Sequence, residues 1–376
     1  MGVDARQVDL LFETAARHVR EGELPSAQLA LAWRGEVVAS AAFGRVEVGG
    51  QVRDAGDQTL YVGFSTTKAL TSVAAWRLMA RGELETSATV ASVVPEFGTL
   101  GKERVTIEQL MTHTSGFPEA PFHPLEWADQ TRRAQRFATW RLDWEPGSRF
   151  VYHRGASFWT LAAVLERLAE RDYREVVRDE VLRPLEIDGL VYGAPPELAG
   201  EAARVVHVGE APPARQVASV GLKLPQDNAA GEAFNELYST PEFTAVGVPG
   251  GGGLMTASGL ALFYQALLEH RVVGEATQAE ALRIRTGAMT DPMTGKAANR
   301  ALGLVVAGDT DRPYRSFGYT NSPAIFGHAG LGGQIAWADP ASGRSFVFLT
   351  NGLDRNPLRM GMRGARLSTM AASCVT

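Results

Sequence analysis

The chain of 376 residues has one cysteine, Cys374, and only four lysines, Lys68, Lys102, Lys223 and Lys296. A single cysteine excludes an internal disulfide framework and a cysteine-rich metal site, and it suits a reducing compartment. Positive charge itself is not scarce, because the other 33 of the 37 basic residues are arginine. The formal charge is −5 and no basic block occurs. That excludes a nucleic-acid binder, which needs clustered cations to neutralise phosphates. No apolar run approaches the ~20 residues that span a bilayer, so no membrane partner is expected. The seven histidines show no H-x-x-x-H or His/Cys spacing, so no metal site is expected. No G-x-S-x-G elbow occurs, which argues against an α/β-hydrolase. The run Gly250–Gly253 lacks a following Lys-Ser/Thr and is not a phosphate loop.

What is present reads as a globular enzyme, with 45% hydrophobic and 21% charged residues. The first 23 residues predict an amphipathic helix with Asp4 as N-cap and Val8, Leu11, Phe12, Ala15 and Val19 on one stripe. This segment has no cationic start, apolar stretch or small-residue cleavage site, so cytoplasmic residence is expected. Ala27–Trp33 and Val37–Phe43 flank Arg34-Gly35-Glu36 and predict a β-hairpin. Gln334–Ala338 and Ser345–Leu349 flank a turn-rich stretch and predict a second. A last helix spans roughly Leu358–Ala372. Further helices are expected at Ile107–Met111, Ser157–Glu170, Tyr173–Leu182 and Ser258–His270. The pattern predicts a mixed α/β (α+β) fold with one antiparallel sheet built from both ends. Residues 1–85 and 290–376 form the sheet region, 86–289 a mainly helical insertion, and the site lies in the cleft between them. Residues 201–249, with Ala211-Pro212-Pro213-Ala214 and Pro225-Gln226-Asp227-Asn228, resist assignment and read as a loop over the substrate pocket.

Three clusters carry chemistry. In Phe64-Ser65-Thr66-Thr67-Lys68, the serine opens a helix that Gly82 terminates. Residues three apart share a helix face, so the Ser65 hydroxyl and the Lys68 amine can meet. First-turn N–H groups and the helix dipole there favour developing negative charge. The second cluster is Pro146-Gly147 followed by Tyr152-His153-Arg154. On residue physics alone, Tyr152 reads as an anchor for the next helix. The third, His328-Ala329-Gly330-Leu331-Gly332-Gly333, lets backbone approach a ligand closely, or reads as a bulged edge strand with a surface histidine.

Taken in order, these segments resemble the serine β-lactamase and penicillin-binding-protein superfamily, most closely class C β-lactamases and the esterases built on the same fold. The matching pieces are Ser65-Thr66-Thr67-Lys68, Leu110–Gly116, Pro146-Gly147 with Tyr152, Gly250–Leu254 and His328-Ala329-Gly330. They run from about residue 60 to 335, and the flanking hairpins and helices fit, so the likeness covers most of the chain. It implies a β-lactamase-like fold and a cofactor-free serine hydrolase. Ser65 would form an acyl-enzyme with a small ester or amide. Lys68 and Tyr152 would share the proton work, and the N–H groups of Ser65 and Leu331 would form the oxyanion hole. Arg154, His328 and Gly330 would contact substrate. His113 falls in a structural turn, and Trp33, Trp76, Trp140, Trp159 and Trp337 read as core.

Two departures stand out. The family's Tyr-x-Asn is Tyr152-His153-Arg154 here, so Arg154 is expected to lower the Tyr152 and Lys68 pKa values or to bind a substrate carboxylate. His328 stands where many β-lactamases have lysine, and a neutral histidine is a weaker carboxylate anchor. Both favour an esterase or amidase over an efficient β-lactamase. The alternatives are a β-lactamase or D-amino-acid peptidase, an acyltransferase using the same acyl-enzyme, and a non-catalytic binding module.

Overall fold

The computed structural model describes residues 2–219 and 229–375. The first helix, Ala5–Arg20, begins where the Asp4 carboxylate accepts the Gln7 N–H, which satisfies one of the N–H groups a helix leaves unpaired. The closing helix, Pro357–Ala371, starts with proline and is capped by Asn356.

Seven strands form one antiparallel sheet. Their order is Val305–Val306, Phe326–Ala329, Ile335–Asp339, Arg344–Leu349, Ser26–Trp33, Glu36–Val48 and Gln51–Asp54. Its middle joins the two ends of the chain, with Gln28 opposite Leu349 and Trp33 opposite Arg344. Alternation along the strands sorts side chains by size. Leu29, Leu31, Ile335, Trp337, Phe346 and Phe348 meet Leu11 and Ala15 of the first helix and Leu367 of the last. The opposite face carries Ala30, Ala32, Ala336 and Ala338. These short side chains let the helix Ala257–Leu268 lie close on that face. Buried Gln265 fastens it there: its Nε2 donates to the carbonyls of Ala32 (3.1 Å) and Gly343 (3.2 Å), and its Oε1 accepts the Gly35 N–H (3.0 Å). One glutamine thus holds the turns of both hairpins.

The helix Lys68–Ala80 is buried almost all round, as a central helix must be. Its Leu70, Val73, Ala74 and Trp76 share a core with Phe158, Leu161 and Leu165 of the helix Ala156–Ala169 and with Val176 and Val177. Two placements therefore differ from expectation. Ala257–Leu268, expected in the helical insertion, lies on the sheet because its polar anchor matches the hairpin turns. Lys68–Ala80, expected with the sheet region, is a core element of the helical body.

The segment 201–249 is also more ordered than expected. Val206–Val208 pairs in parallel with Gly352–Asp354, and helices form at Ala214–Ser219, Ala229–Glu236 and Pro241–Val246. Pro225-Gln226-Asp227-Asn228 lies outside the described residues. Among the described residues, no helix is long and apolar enough to cross a membrane.

Lys102 is fully buried. Its Nζ donates to the carbonyls of Thr99 (2.7 Å) and Trp140 (2.6 Å) and lies 5.4 Å from the Phe97 ring centroid. Burial pulls its pKa down to about 8. The unfolded chain therefore holds this proton more tightly than the folded one between pH 8 and 10.5. The resulting destabilisation is complete below that window and is relieved as pH rises through it. Wild type should accordingly gain stability relative to Lys102→Met as pH is raised from 8 to 10.5, read as a converging or reversing difference in urea midpoints.

Candidate active site

The short strand Tyr61–Val62 pairs with Leu254–Met255, directly after the glycine run. The Gly63 N–H donates to the Gly253 carbonyl at 2.9 Å, and the Gly253 N–H donates to Thr67 Oγ1 at 3.0 Å. These bonds pin both ends of Phe64–Thr67. That segment is a 3-10 turn, with the α-helix starting at Lys68, whereas the sequence predicts an α-helical first turn. Phe64 adopts a left-handed φ of 44°, a conformation that costs on the order of 1–3 kcal/mol and is characteristic of functional turns. Its ring is buried against Tyr238, centroids 5.3 Å apart.

Ser65, Lys68 and Tyr152 come together as expected. The Tyr152 hydroxyl lies 2.8 Å from Ser65 Oγ, and Lys68 Nζ lies 3.2 Å from it. Lys68 Nζ also donates to the carbonyls of Gly250 (2.8 Å) and Arg154 (3.2 Å). As a neutral amine, Lys68 gives its two N–H groups to these carbonyls and turns its lone pair to Ser65. As an ammonium, it has a third N–H for Ser65 Oγ. Both protonation states fit one geometry. Burial lowers the Lys68 pKa. Burial alone would raise Tyr152, but the charges of Lys68 and Arg300 outweigh it and the phenol is lowered. The two groups titrate as a pair.

Arg154 borders the cavity with Ser65. The sequence reading missed Arg300, whose charge lowers both Tyr152 and Lys68. Its guanidinium lies 5.1 Å from the Tyr152 ring centroid and 5.2 Å from that of Phe150. The Arg154 side chain is exposed, and its contribution to the centre is the backbone carbonyl on Lys68. An unusual spacing would have flagged Arg300 in the sequence, but a chain with 33 arginines offers no such contrast.

The histidines are neutral supports. His153 Nε2 accepts the Phe117 N–H (3.2 Å), so its proton sits on Nδ1 and is given to the Val151 carbonyl (2.6 Å). Burial lowers it to about 4. The His153 N–H donates to His113 Nδ1 at 3.3 Å, and the His113 ring lies 4.6 Å from that of Tyr152. His113 is thus structural as expected, in a left-handed turn with φ of 59°, and it also backs the tyrosine. His328 borders the same cavity as Ser65. It is buried, with Nδ1 on the Ala329 carbonyl (2.6 Å) and Nε2 on Arg300 (3.3 Å). Both ring nitrogens are occupied within the protein, so it is not a free substrate anchor.

Gly330 and Leu331 border the same cavity as Ser65. A Cβ at Gly330 would fall 2.7 Å from the Gly63 carbonyl, so only glycine lets this strand end meet the serine turn. Buried Gln334 reinforces the junction, donating to the carbonyls of Val62 (3.3 Å) and Thr350 (2.7 Å). The cavity measures about 550 Å³. Phe122, Trp159, Phe234 and Tyr238 form an aromatic wall, and Asp291, Lys296, Arg300 and Arg315 lie on a polar one. Trp159, expected only in the core, is both buried and part of that wall. Phe234 and Tyr238 come from the segment expected to cover the pocket.

A Cβ at Gly250 would sit 3.0 Å from Lys68 Nζ and 3.3 Å from Phe158 Cβ. Gly250→Ala should displace the amine and slow fluorophosphonate labelling of Ser65 by about tenfold, with little change in Tm. Unchanged labelling would contradict this placement of the amine.

Comparison with known proteins agrees with this architecture. The chain is 28% identical to Esterase EstB of Burkholderia gladioli, covering 96% of this chain and 94% of that protein. It is 27% identical to Esterase/beta-lactamase LipL of Mycobacterium tuberculosis, covering 77% and 68% respectively. Among solved structures, a penicillin-binding protein homolog from Caulobacter crescentus superposes with a TM-score of 0.79 at 26% identity, covering 100% of this chain and 99% of that one. The Beta-lactamase family matches residues 11–371, nearly the whole chain, and the protein belongs to that family.

Proposed function

We propose that the protein is a serine hydrolase that cleaves small esters through an acyl-enzyme on Ser65, in the cleft between the sheet region and the helical body. The observation that carries this reading is the convergence of the Tyr152 hydroxyl and the Lys68 amine on Ser65 Oγ at the wall of the cavity. The Burkholderia gladioli relative, an esterase, and the Mycobacterium tuberculosis relative, an esterase/beta-lactamase, support it.

In this mechanism Ser65 Oγ adds to the ester carbonyl while its proton passes to the Tyr152–Lys68 pair. The carbonyl electron pair moves onto oxygen and is received by the N–H groups of Ser65 and Leu331. Loss of one such donor typically costs about 10²–10³ in rate. Collapse of the adduct breaks the bond to the alcohol oxygen, which leaves with the proton held by the pair. Water then gives a proton to the same pair and attacks the acyl carbon, and Ser65 departs reprotonated. Acyl transfer follows the same course with an alcohol in place of water. The aromatic wall receives the apolar part of the substrate. His328, with both nitrogens engaged, offers little to a β-lactam carboxylate, which supports esters over penicillins as substrates.

With p-nitrophenyl acetate, wild type should show a burst and steady turnover. Ser65→Ala should abolish both, and Tyr152→Phe should lower kcat by about 10²–10⁴. Intact-mass analysis should show an acetyl adduct that turns over and slower acylation by penicillin. Retention of turnover by Ser65→Ala would rule out the acyl-enzyme.

A further inference from the structure

His328 occupies the position of a lysine in many β-lactamases, yet its environment leaves it uncharged. Its Nδ1 faces the Ala329 carbonyl at 2.6 Å, which requires the proton there. Its Nε2 then presents a lone pair, and Arg300 Nη1 donates to it at 3.3 Å. The guanidinium so held lies 5.1 Å from the Tyr152 ring centroid and 5.2 Å from that of Phe150. Its segment is fixed from behind, because the Arg300 N–H donates to Thr286 Oγ1 (3.0 Å) and the Arg300 carbonyl accepts the Arg285 N–H (2.7 Å). Among the described residues, Arg300 makes no ion pair within 4 Å, and its buried Nε has no hydrogen-bond partner. A guanidinium cannot escape by deprotonating. Its charge is therefore directed at its neighbours.

We propose that Arg300 is a positioning residue for the reaction at Ser65: fixed by the lone pair of neutral His328, it supplies beside Tyr152 the second positive charge that residue 328 itself does not carry. This inference rests on the serine-hydrolase reading above.

The groups that face Tyr152 from the surrounding elements are Lys68, His113, His328, Tyr238 and Arg300. Burial holds His113 and His328 well below the ordinary histidine range, and burial pushes Tyr238 up to about 12. These three are neutral at pH 7, which leaves Lys68 and Arg300 as the charged neighbours. Asp291, the carboxylate that acts on Arg300, favours its charged state. Both cations favour the phenolate of Tyr152 over the phenol. In that state, Tyr152 accepts the Ser65 proton while Lys68 stays an ammonium. Without Arg300, the pair should take up its proton at higher pH, leaving less of it in the base form at neutrality.

The test is the pH profile of kcat/KM with p-nitrophenyl acetate, an uncharged substrate that needs no anion anchor. Arg300→Gln should raise the midpoint of the acid limb by about one pH unit and lower kcat/KM at pH 7 about tenfold, with activity recovered at alkaline pH. Arg300→Lys should restore most of the profile, and added methylguanidinium should partly rescue Arg300→Ala. A uniform loss in Arg300→Gln and Arg300→Lys with an unmoved acid limb would overturn the proposal. So would an effect confined to KM for a carboxylate-bearing ester, which would make Arg300 a substrate contact. Fluorophosphonate labelling of Ser65 in wild type separates the two levels: labelling with an unmoved limb defeats only the Arg300 role, whereas no labelling defeats the hydrolase reading on which it rests.

Discussion

The site is organised around one nitrogen. Lys68 Nζ is buried, and three oxygens from distant parts of the chain surround it: Ser65 Oγ, the Arg154 carbonyl and the Gly250 carbonyl. Each oxygen belongs to a different local structure, namely the strained serine turn, the loop that carries Tyr152, and the glycine run. Taking an amine out of water is costly unless its hydrogens find partners. The arrangement of the three segments is thereby coupled to a single residue. A lysine with only carbonyl and hydroxyl neighbours stays titratable, because no carboxylate fixes its charge. Lys102 shows the same economy of partners in a purely structural setting, with carbonyls of Thr99 and Trp140 around its amine.

Around this nitrogen the charge pattern is asymmetric. Two cations, Lys68 and Arg300, lie 5.2 and 5.1 Å from the Tyr152 ring centroid, while the nearby imidazoles are held neutral by burial and by their own hydrogen bonds. Neutral His153 and His113 form a linked support whose hydrogen bonds run to backbone groups. His328 is likewise fixed by a carbonyl on one nitrogen and a guanidinium on the other. The tyrosine therefore sits in a polar shell, where burial raises its pKa and the charges of Lys68 and Arg300 lower it.

Much of this was legible from the residues, but unevenly. The two hairpins could be read because strand-like runs flank turn formers such as Gly35 and Gly343. The first helix could be read from its cap and apolar stripe. Ser65, Lys68 and Tyr152 emerged only when several short segments were taken together, since each alone has an ordinary structural reading. The partner of Ala257–Leu268 could not be read, because an almost wholly apolar helix announces burial without saying against what. The helix Ala229–Glu236 buries none of its side chains, so it left no periodic stripe to detect. Arg300 was hidden because its proposed role depends on a long-range contact with His328, and nothing in its immediate neighbours encodes that contact.

The sheet that supports all this also sets an order of events during synthesis. Ser26–Trp33 emerges early, but its neighbour on one side is Arg344–Leu349, some three hundred residues later. At ribosomal rates of about 5–20 residues per second, that strand waits roughly 15–60 s with one edge open and Leu29 and Leu31 without their final cover. Exposed strand edges of this kind recruit wrong partners. The early hairpin is therefore a natural client for chaperones on the nascent chain, and a transcript cut short before the last hairpin would yield an aggregation-prone product rather than a partly active enzyme.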